Sequence, residues 1–403
     1  MQHVAPDALK TALPAFTDTA ELVLRRKPSE PVYCIYRNVV RGIARQFLTG
    51  FPGDVLYAVK ANPALPLLDE LYDAGVRHFD TASLPEIRRI KERYPDARCY
   101  YMAPVRFLGA SAEAYKKWGV RDFVLDSDEE LEKILAETGA RDLTLYVRLK
   151  TDVGGAILEL SSKFGVHDLD AVRLLKRVAD SGCRPALAFH VGSLCLDADA
   201  FTRALDICRN VLALAGVPIV ALDVGGGFPA PYPGNSAPPL PLFFERIKAA
   251  AKTLGLDGKT RLLCEPGRGL AAHGMSLIAQ IIGHRADRLY INDGIYGSFS
   301  EMMIPNSRIT YPLRVMRVEA GRVRAIGGET RPFITYGPTC DSLDVLPQPT
   351  DMPVDIKTGD YVEFGLMGAY TLANRTEFNG FYPNEIVEIT DPAARPPGVP
   401  PAA

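Results

Sequence analysis

Between residues 55 and 265 short apolar runs alternate with longer amphipathic segments. Eight runs stand out, at 55–59, 77–80, 98–102, 121–125, 143–149, 186–190, 219–224 and 260–264. They are rich in Val, Leu, Ile, Phe and Tyr, which suits strands covered on both faces. Helical segments lie between most of them, and residues 201–214 carry apolar positions at helical spacing. Ser83 with Glu86, and Ser127 with Glu130, have the spacing of a capping box at a helix start. Gly75, Gly119, Gly139 and Gly182 stand where helices should stop. Eight strand–helix units in succession predict a parallel (β/α)8 barrel of the TIM type, with a doubly wound open sheet as the alternative.

The texture changes near residue 275. Short strand-like runs follow at 276–282, 313–318, 323–326, 332–336, 361–364 and 385–388, separated by turn signals. They predict a C-terminal β domain, to which residues 31–36 add an N-terminal strand. The expected organisation is an α/β barrel over 37–272, the β domain over 273–392 and a disordered Pro/Ala-rich tail over 393–403.

Composition narrows the function. A chain of 403 residues that is 47% hydrophobic can bury a large core. Lys plus Arg total 46 and Asp plus Glu total 48, with no basic block, so nucleic acid and anionic membranes are poor partners. Neither a signal-peptide pattern nor a membrane-length apolar run is visible, and the expected location is the cytoplasm. Seven cysteines without paired spacing argue against a disulfide framework and a structural zinc site, so no metal is expected.

In a barrel the chemistry gathers at the C-terminal ends of the strands. Those ends carry Lys60, Asp80, Arg148, His190 with Ser193 close behind, Gly225-Gly226-Gly227, and Glu265-Pro266-Gly267-Arg268. A glycine triplet alone is an ordinary tight loop. After the seventh strand, with Arg268 after the eighth, it predicts a phosphate site. A lysine at such a mouth can form a Schiff base with an aldehyde, and pyridoxal 5′-phosphate (PLP) is the phosphorylated aldehyde of amino-acid chemistry. Glu265 is the candidate partner for a pyridine nitrogen, and His190 is a candidate flat group against the ring.

The motifs YAVKANP, FDTAS, HVGS, DVGGGFP, EPGR, NDGIYGSF, GPTCDSLD, GAYT and FNGF occur in this order. Together they resemble the fold-type III PLP-dependent decarboxylases, the ornithine/lysine branch above all, over roughly residues 30 to 390. The resemblance implies an alanine-racemase-like barrel with a C-terminal β domain, and a homodimer with shared active sites. It makes Lys60 the Schiff-base lysine, stacks His190 on the cofactor ring and sets Glu265 at the pyridine nitrogen. It assigns the phosphate to Ser193, Gly226, Gly227, Arg268 and Tyr370, with Pro266 and Gly267 in the same loop, and Asp80 and Arg148 to the cofactor surroundings. Cys340, from the other subunit, would return a proton to the substrate carbon. Thiols ionise near pH ~8.5 and can donate at neutral pH. Asp341 would meet the substrate's distal amine, and Tyr296 and Phe378 would line the pocket.

One departure bears on the substrate. Ornithine enzymes place a second acidic residue after the NDGxYGSF segment, whereas residues 304–306 here read Ile-Pro-Asn, and Glu301 stands too early. Leu194 and Arg375 also depart from the pattern, and Arg375 is either a solvated charge or a contact for a substrate carboxylate. The expected activity is PLP-dependent decarboxylation of a basic L-amino acid, ornithine or lysine first, to a diamine of polyamine biosynthesis. The alternatives are a different or conjugated amino acid, or a non-catalytic regulator. A racemase fits less well, because the Cys-Asp pair belongs to the decarboxylase branch.

Overall fold

The computed structural model describes residues 12–160, 162–255, 259–305 and 309–400. Eight parallel strands close a barrel in sequence order: Asp54–Ala58, His78–Thr81, Arg98–Tyr101, Asp122–Leu125, Thr144–Arg148, Arg184–Ala188, Ala221–Asp223 and Arg261–Cys264. The last pairs with the first, Leu263 opposite Asp54 and Cys264 opposite Val55. The open doubly wound sheet is thereby excluded. Inside the barrel, Tyr100, Tyr146, Leu56, Val124 and Leu263 pack with Ala186, Ala188 and Ala221. Small residues on the sixth and seventh strands leave room for the two tyrosine rings, so the lumen is filled rather than hollow.

Local signals act much as the sequence suggests. Ser83 Oγ accepts from the Glu86 amide, and Glu86 reaches back to the Ala82 amide at 2.6 Å. Ser127 also caps its helix, yet Glu130 does not close the box. Its carboxylate is taken by buried Arg106 at 3.0 Å and by Lys133, because a desolvated guanidinium must find a counter-charge. Gly139 ends its helix in the left-handed region at φ 64°, its amide bonded to the Leu135 carbonyl.

The second layer is a mixed sheet. Val32–Ile35 lies between Glu385–Ile389, in parallel, and Met275–Arg285, antiparallel. Met275–Arg285 also pairs with Arg288–Ile291 and Tyr361–Phe364, and the latter with Leu313–Glu319. Arg322–Ile326 and Thr330–Tyr336 complete the expected runs. Arg288–Ile291, Thr350–Pro353 and the two-residue Ala15–Phe16 are strands that sequence patterning missed, being short or polar. So are Ala156–Leu158 and Ser193–Cys195, which pair antiparallel beside the barrel mouth.

The expectation of a disordered tail needs correction for residues 393–400. Ala394 and Val399 pack against the cluster around Val32, Ile278 and Tyr361, and Asn38 Nδ2 donates to the Pro392 carbonyl at 2.6 Å. A Cβ on Gly365 would fall 1.9 Å from the Pro397 carbonyl oxygen, so that glycine admits the tail. Prolines restrict the unfolded tail, which lowers the entropy lost on docking. Residues 401–403 of that segment lie outside the described residues.

Candidate active site

Twelve of the residues singled out by sequence meet at one rim of the barrel. Lys60 lies just past the first strand, in the single turn Val59–Ala61, not on the strand itself. Its Nζ is 2.5 Å from Asp80 Oδ2. Asp80 sits in the second strand and is 1% exposed, with Oδ1 unpartnered. Burial disfavours the ammonium, but the Asp80 and Glu265 charges outweigh it and raise the Lys60 pKa.

His190 lies two residues past the sixth strand. The Gly192 amide donates to its Nδ1 at 2.9 Å, which leaves the ring proton on Nε2. Burial, then the Arg148 and Lys60 charges, hold its pKa well below the ordinary value, so the ring stays neutral. Arg148 ends the fifth strand, its guanidinium 5.6 Å from the centre of the Phe164 ring. A Cβ on Gly226 would be 2.7 Å from the Glu265 carbonyl oxygen and 3.0 Å from His190 Nε2. One on Gly227, at φ 105°, would be 2.6 Å from the Gly192 carbonyl oxygen. Only glycine lets these loops close on one another.

Glu265 follows the eighth strand beside Asp223, and its Oε1 has no donor partner among the described residues. Burial, then the Asp223 and Asp80 charges, hold it well above the usual carboxylate range, against Lys60 and Arg148. Asp223, in the seventh strand, is pushed up to about 7 by burial, although the Gly225 amide donates to it. The Pro266 carbonyl accepts from the Ala58 amide at 3.2 Å, and the Gly267 carbonyl accepts from Ala271 at 3.0 Å. A Cβ on Gly267 would lie 3.0 Å from Ala61 Cβ and 3.3 Å from Tyr370 Oη. Tyr370 holds a left-handed backbone at φ 57°, and its amide donates to the Ala61 carbonyl at 2.8 Å. That is a strained position for a tyrosine, kept by contact with the lysine turn. The Arg268 guanidinium is 4.9 Å from the Tyr370 ring centre and 3.4 Å from Ser193 Oγ.

Cys340, Asp341, Tyr296 and Phe378 form a second group, on the β domain. Tyr296 Oη donates to Asp341 Oδ2 at 2.5 Å, and the Tyr296 and Phe378 ring centres are 4.6 Å apart. The Leu343 amide and the Tyr296 hydroxyl hold the Asp341 carboxyl below its usual range. Cys340 is exposed, its amide donating to Asn379 Oδ1 at 3.1 Å, while the other six cysteines are buried and all seven are free thiols. Among the described residues no hydrogen bond, ion pair or ring contact joins this group to Lys60, His190 or Glu265.

Sequence reasoning missed two residues. Asp223 stands inside DVGGGFP, where its position beside the glycines was the available signal. Asp344 is 1% exposed and accepts the Ile295 and Thr339 amides, each at 3.0 Å, tying the Cys340 loop to the Tyr296 loop. Asp344→Ala should strand two buried amides and destabilise the protein by about 2–4 kcal/mol in denaturant unfolding. Faster amide exchange at Ile295 and Thr339 would mark the loosened loop. Glu301, named from sequence only as standing too early for a distal-amine acid, pairs with Arg268.

The arrangement suits a phosphorylated pyridine aldehyde. Lys60 offers an amine, Glu265 an orphaned oxygen, His190 a neutral flat ring and Arg268 an unpartnered buried Nε beside glycine loops. Comparison with known proteins agrees. The family model described as pyridoxal-dependent decarboxylase, pyridoxal binding domain, matches residues 37–272. A lysine/ornithine decarboxylase of Selenomonas ruminantium is 34% identical over 340 residues, 81% of each chain. The structure of a lysine/ornithine decarboxylase from Vibrio vulnificus, complexed with putrescine, is 29% identical at TM-score 0.78, covering 92% of this chain and 96% of that one. That of an arginine decarboxylase from Paramecium bursaria Chlorella virus is 26% identical at TM-score 0.79, covering 91% and 98%. With the motifs, the closed barrel and the acid–lysine mouth in accord, the chain belongs to the pyridoxal-dependent decarboxylases, enzymes that work with pyridoxal 5′-phosphate.

Proposed function

We propose that this enzyme decarboxylates ornithine or lysine to the diamine of polyamine biosynthesis. The observation that carries the substrate class is Asp341, a carboxylate held ionised beside the Tyr296–Phe378 ring pair. An ammonium can meet the charge while its methylene chain lies on the rings. The solved Vibrio relative binds putrescine, which supports the same reading.

When bound, the cofactor supplies an electron sink for the pair left on Cα as the carboxylate departs. The protein does the rest. Lys60 would hold the aldehyde carbon, with Asp80 orienting its amine. Glu265 would keep a proton at the pyridine nitrogen, its affinity for that proton raised by burial and by Asp223. His190 would cover one ring face. Gly226, Gly227, Ser193, Arg268 and Tyr370 would hold the phosphate, with Pro266 and Gly267 shaping the loop and Arg148 offsetting the acidic cluster. Cys340 would deliver a proton to Cα.

That last role requires a second copy. Cys340 is exposed and, among the described residues, its group has no hydrogen bond, ion pair or ring contact to Lys60, which supports a partner subunit bringing the two together. Val105, Phe107 and Leu108, exposed on the loop after the third strand, offer that partner an apolar patch on the same rim. The division at 37–272 and 273–392 belongs to this proposal, with the site between one barrel and the other β domain. Seven free thiols suit the reducing cytoplasm. Among the described residues no helix is long and apolar enough to cross a membrane.

One observation favours a second reading, a larger or conjugated amino acid. Glu301 is committed to Arg268, and residues 304 and 305 are Ile and Pro, so no second carboxylate from this segment faces a distal amine. Asn306 lies outside the described residues. Arg375 is no free solvated charge: its guanidinium is 4.3 Å from the Tyr382 ring centre and bonds the Leu372 carbonyl.

The test is turnover of ornithine, lysine and arginine by cofactor-loaded protein, read as CO2 and amine. Ornithine or lysine should be consumed, and Asp341→Asn should raise KM for that substrate roughly 10- to 100-fold. A loaded protein that ignores both would favour the second reading, and one that takes up no cofactor would point to a regulator.

A further inference from the structure

Glu301 sits in the single turn Ser300–Met303, directly after NDGIYGSF. It is 2% exposed and Arg268 is 4% exposed. Arg268 Nη1 donates to Glu301 Oε2 at 2.7 Å, and Nη2 donates to Oε1. Nη1 also reaches Tyr232 Oη at 3.2 Å and Nη2 reaches Ser193 Oγ, while Nε has no partner among the described residues. The two-nitrogen fork that would grip a phosphate is therefore filled by a carboxylate.

We propose that Glu301 competes with the cofactor phosphate for Arg268, so that cofactor uptake requires the carboxylate to yield or share the guanidinium. This rests on the reading of Arg268 as the phosphate's partner. A buried arginine with no counter-charge is strongly unfavourable, and Glu301 removes that penalty in the cofactor-free protein. Once a phosphate arrives, the same carboxylate becomes a like charge in a poorly screened setting. A ligand that must first displace an internal partner binds with an apparent affinity reduced by the stability of the displaced contact. Occupancy of the enzyme would then follow the supply of phosphorylated cofactor rather than remain saturated.

The experiment titrates cofactor-free wild type, Glu301→Gln and Glu301→Asp with pyridoxal 5′-phosphate and with pyridoxal, following cofactor absorbance. Glu301→Gln should bind the phosphate ester about tenfold tighter or more, within the usual range of coupling between sites. Its affinity for pyridoxal should not change, and the cofactor-free variant should melt below wild type. Unchanged or weaker binding of the phosphate ester would overturn the proposal and make Glu301 a support for Arg268. Should Glu301→Gln not fold, Glu301→Asp keeps the charge with a shorter reach. A looser grip predicts intermediate tightening, and equal or weaker binding overturns the idea. A different failure, in which wild type binds the phosphate ester no better than pyridoxal, would remove Arg268 from the phosphate site altogether.

Discussion

Lys60→Ala should lose the visible absorbance of bound cofactor and roughly a thousandfold or more of turnover, the middle of the range for a positioned acid, base or nucleophile. The consequence extends beyond chemistry. Lys60 Nζ is the only bonded partner of the Asp80 carboxylate among the described residues, and its charge also restrains Asp223 and Glu265. Without it, three acidic side chains share a barrel mouth, and Arg148 still offsets Glu265. Asp223 is already pushed up to about 7 in the wild type, against a usual value near 3.9. A carboxyl raised by folding keeps a proton that the unfolded chain has released, so stability falls as pH rises between those two values. Removing the ammonium raises the folded-state values of Asp223 and Glu265 further. The cofactor-free variant should therefore fall progressively behind wild type in Tm as pH is raised through 7, and recover as pH is lowered toward 4. A deficit that does not change with pH would mean that Lys60 does not restrain the acidic cluster.

Cys340→Ala should reduce amine formation by about 10²–10⁴-fold, the contribution of a general acid, while leaving stability within about 0.5 kcal/mol because the side chain is exposed. A proton delivered from one fixed thiol reaches one face of Cα. Run in heavy water, wild type should give an amine deuterated with a single configuration at that carbon. The variant, dependent on solvent, should give a mixture. A single configuration retained in the variant would assign the donor elsewhere. Mixing Lys60→Ala with Cys340→Ala protein should restore part of the activity, since a dimer of one each contains one intact site. Absence of any restoration would count against sharing between subunits.

The barrel was legible because parallel strands covered on both faces leave a strong, local hydrophobic signature, and because strand–helix spacing repeats. Lys60, His190, the glycine triplet and EPGR were legible for a related reason. Topology alone places strand ends at one rim, so their chemistry can be read in order along the chain. The strands Arg288–Ile291 and Thr350–Pro353 were not: each is only four residues long, too short for a clear alternation, and the first is the return arm of a tight hairpin with Arg288 opposite Arg285. The tail was misjudged from composition, because proline-rich chain can dock in extended form without any periodic signal.

What sequence alone determined, then, was the order of elements, the rim and the set of side chains gathered there. Tertiary structure decided their partnerships. Glu301 is 33 residues from Arg268 along the chain, and nothing local indicates that it would turn to that guanidinium instead of toward Asp341. Glu130 likewise left its capping box for Arg106. In both cases a buried arginine claimed a carboxylate, because an unpaired charge away from water is strongly unfavourable. That competition depends on which groups folding removes from solvent, and only the closed barrel with its sheet in place settles it.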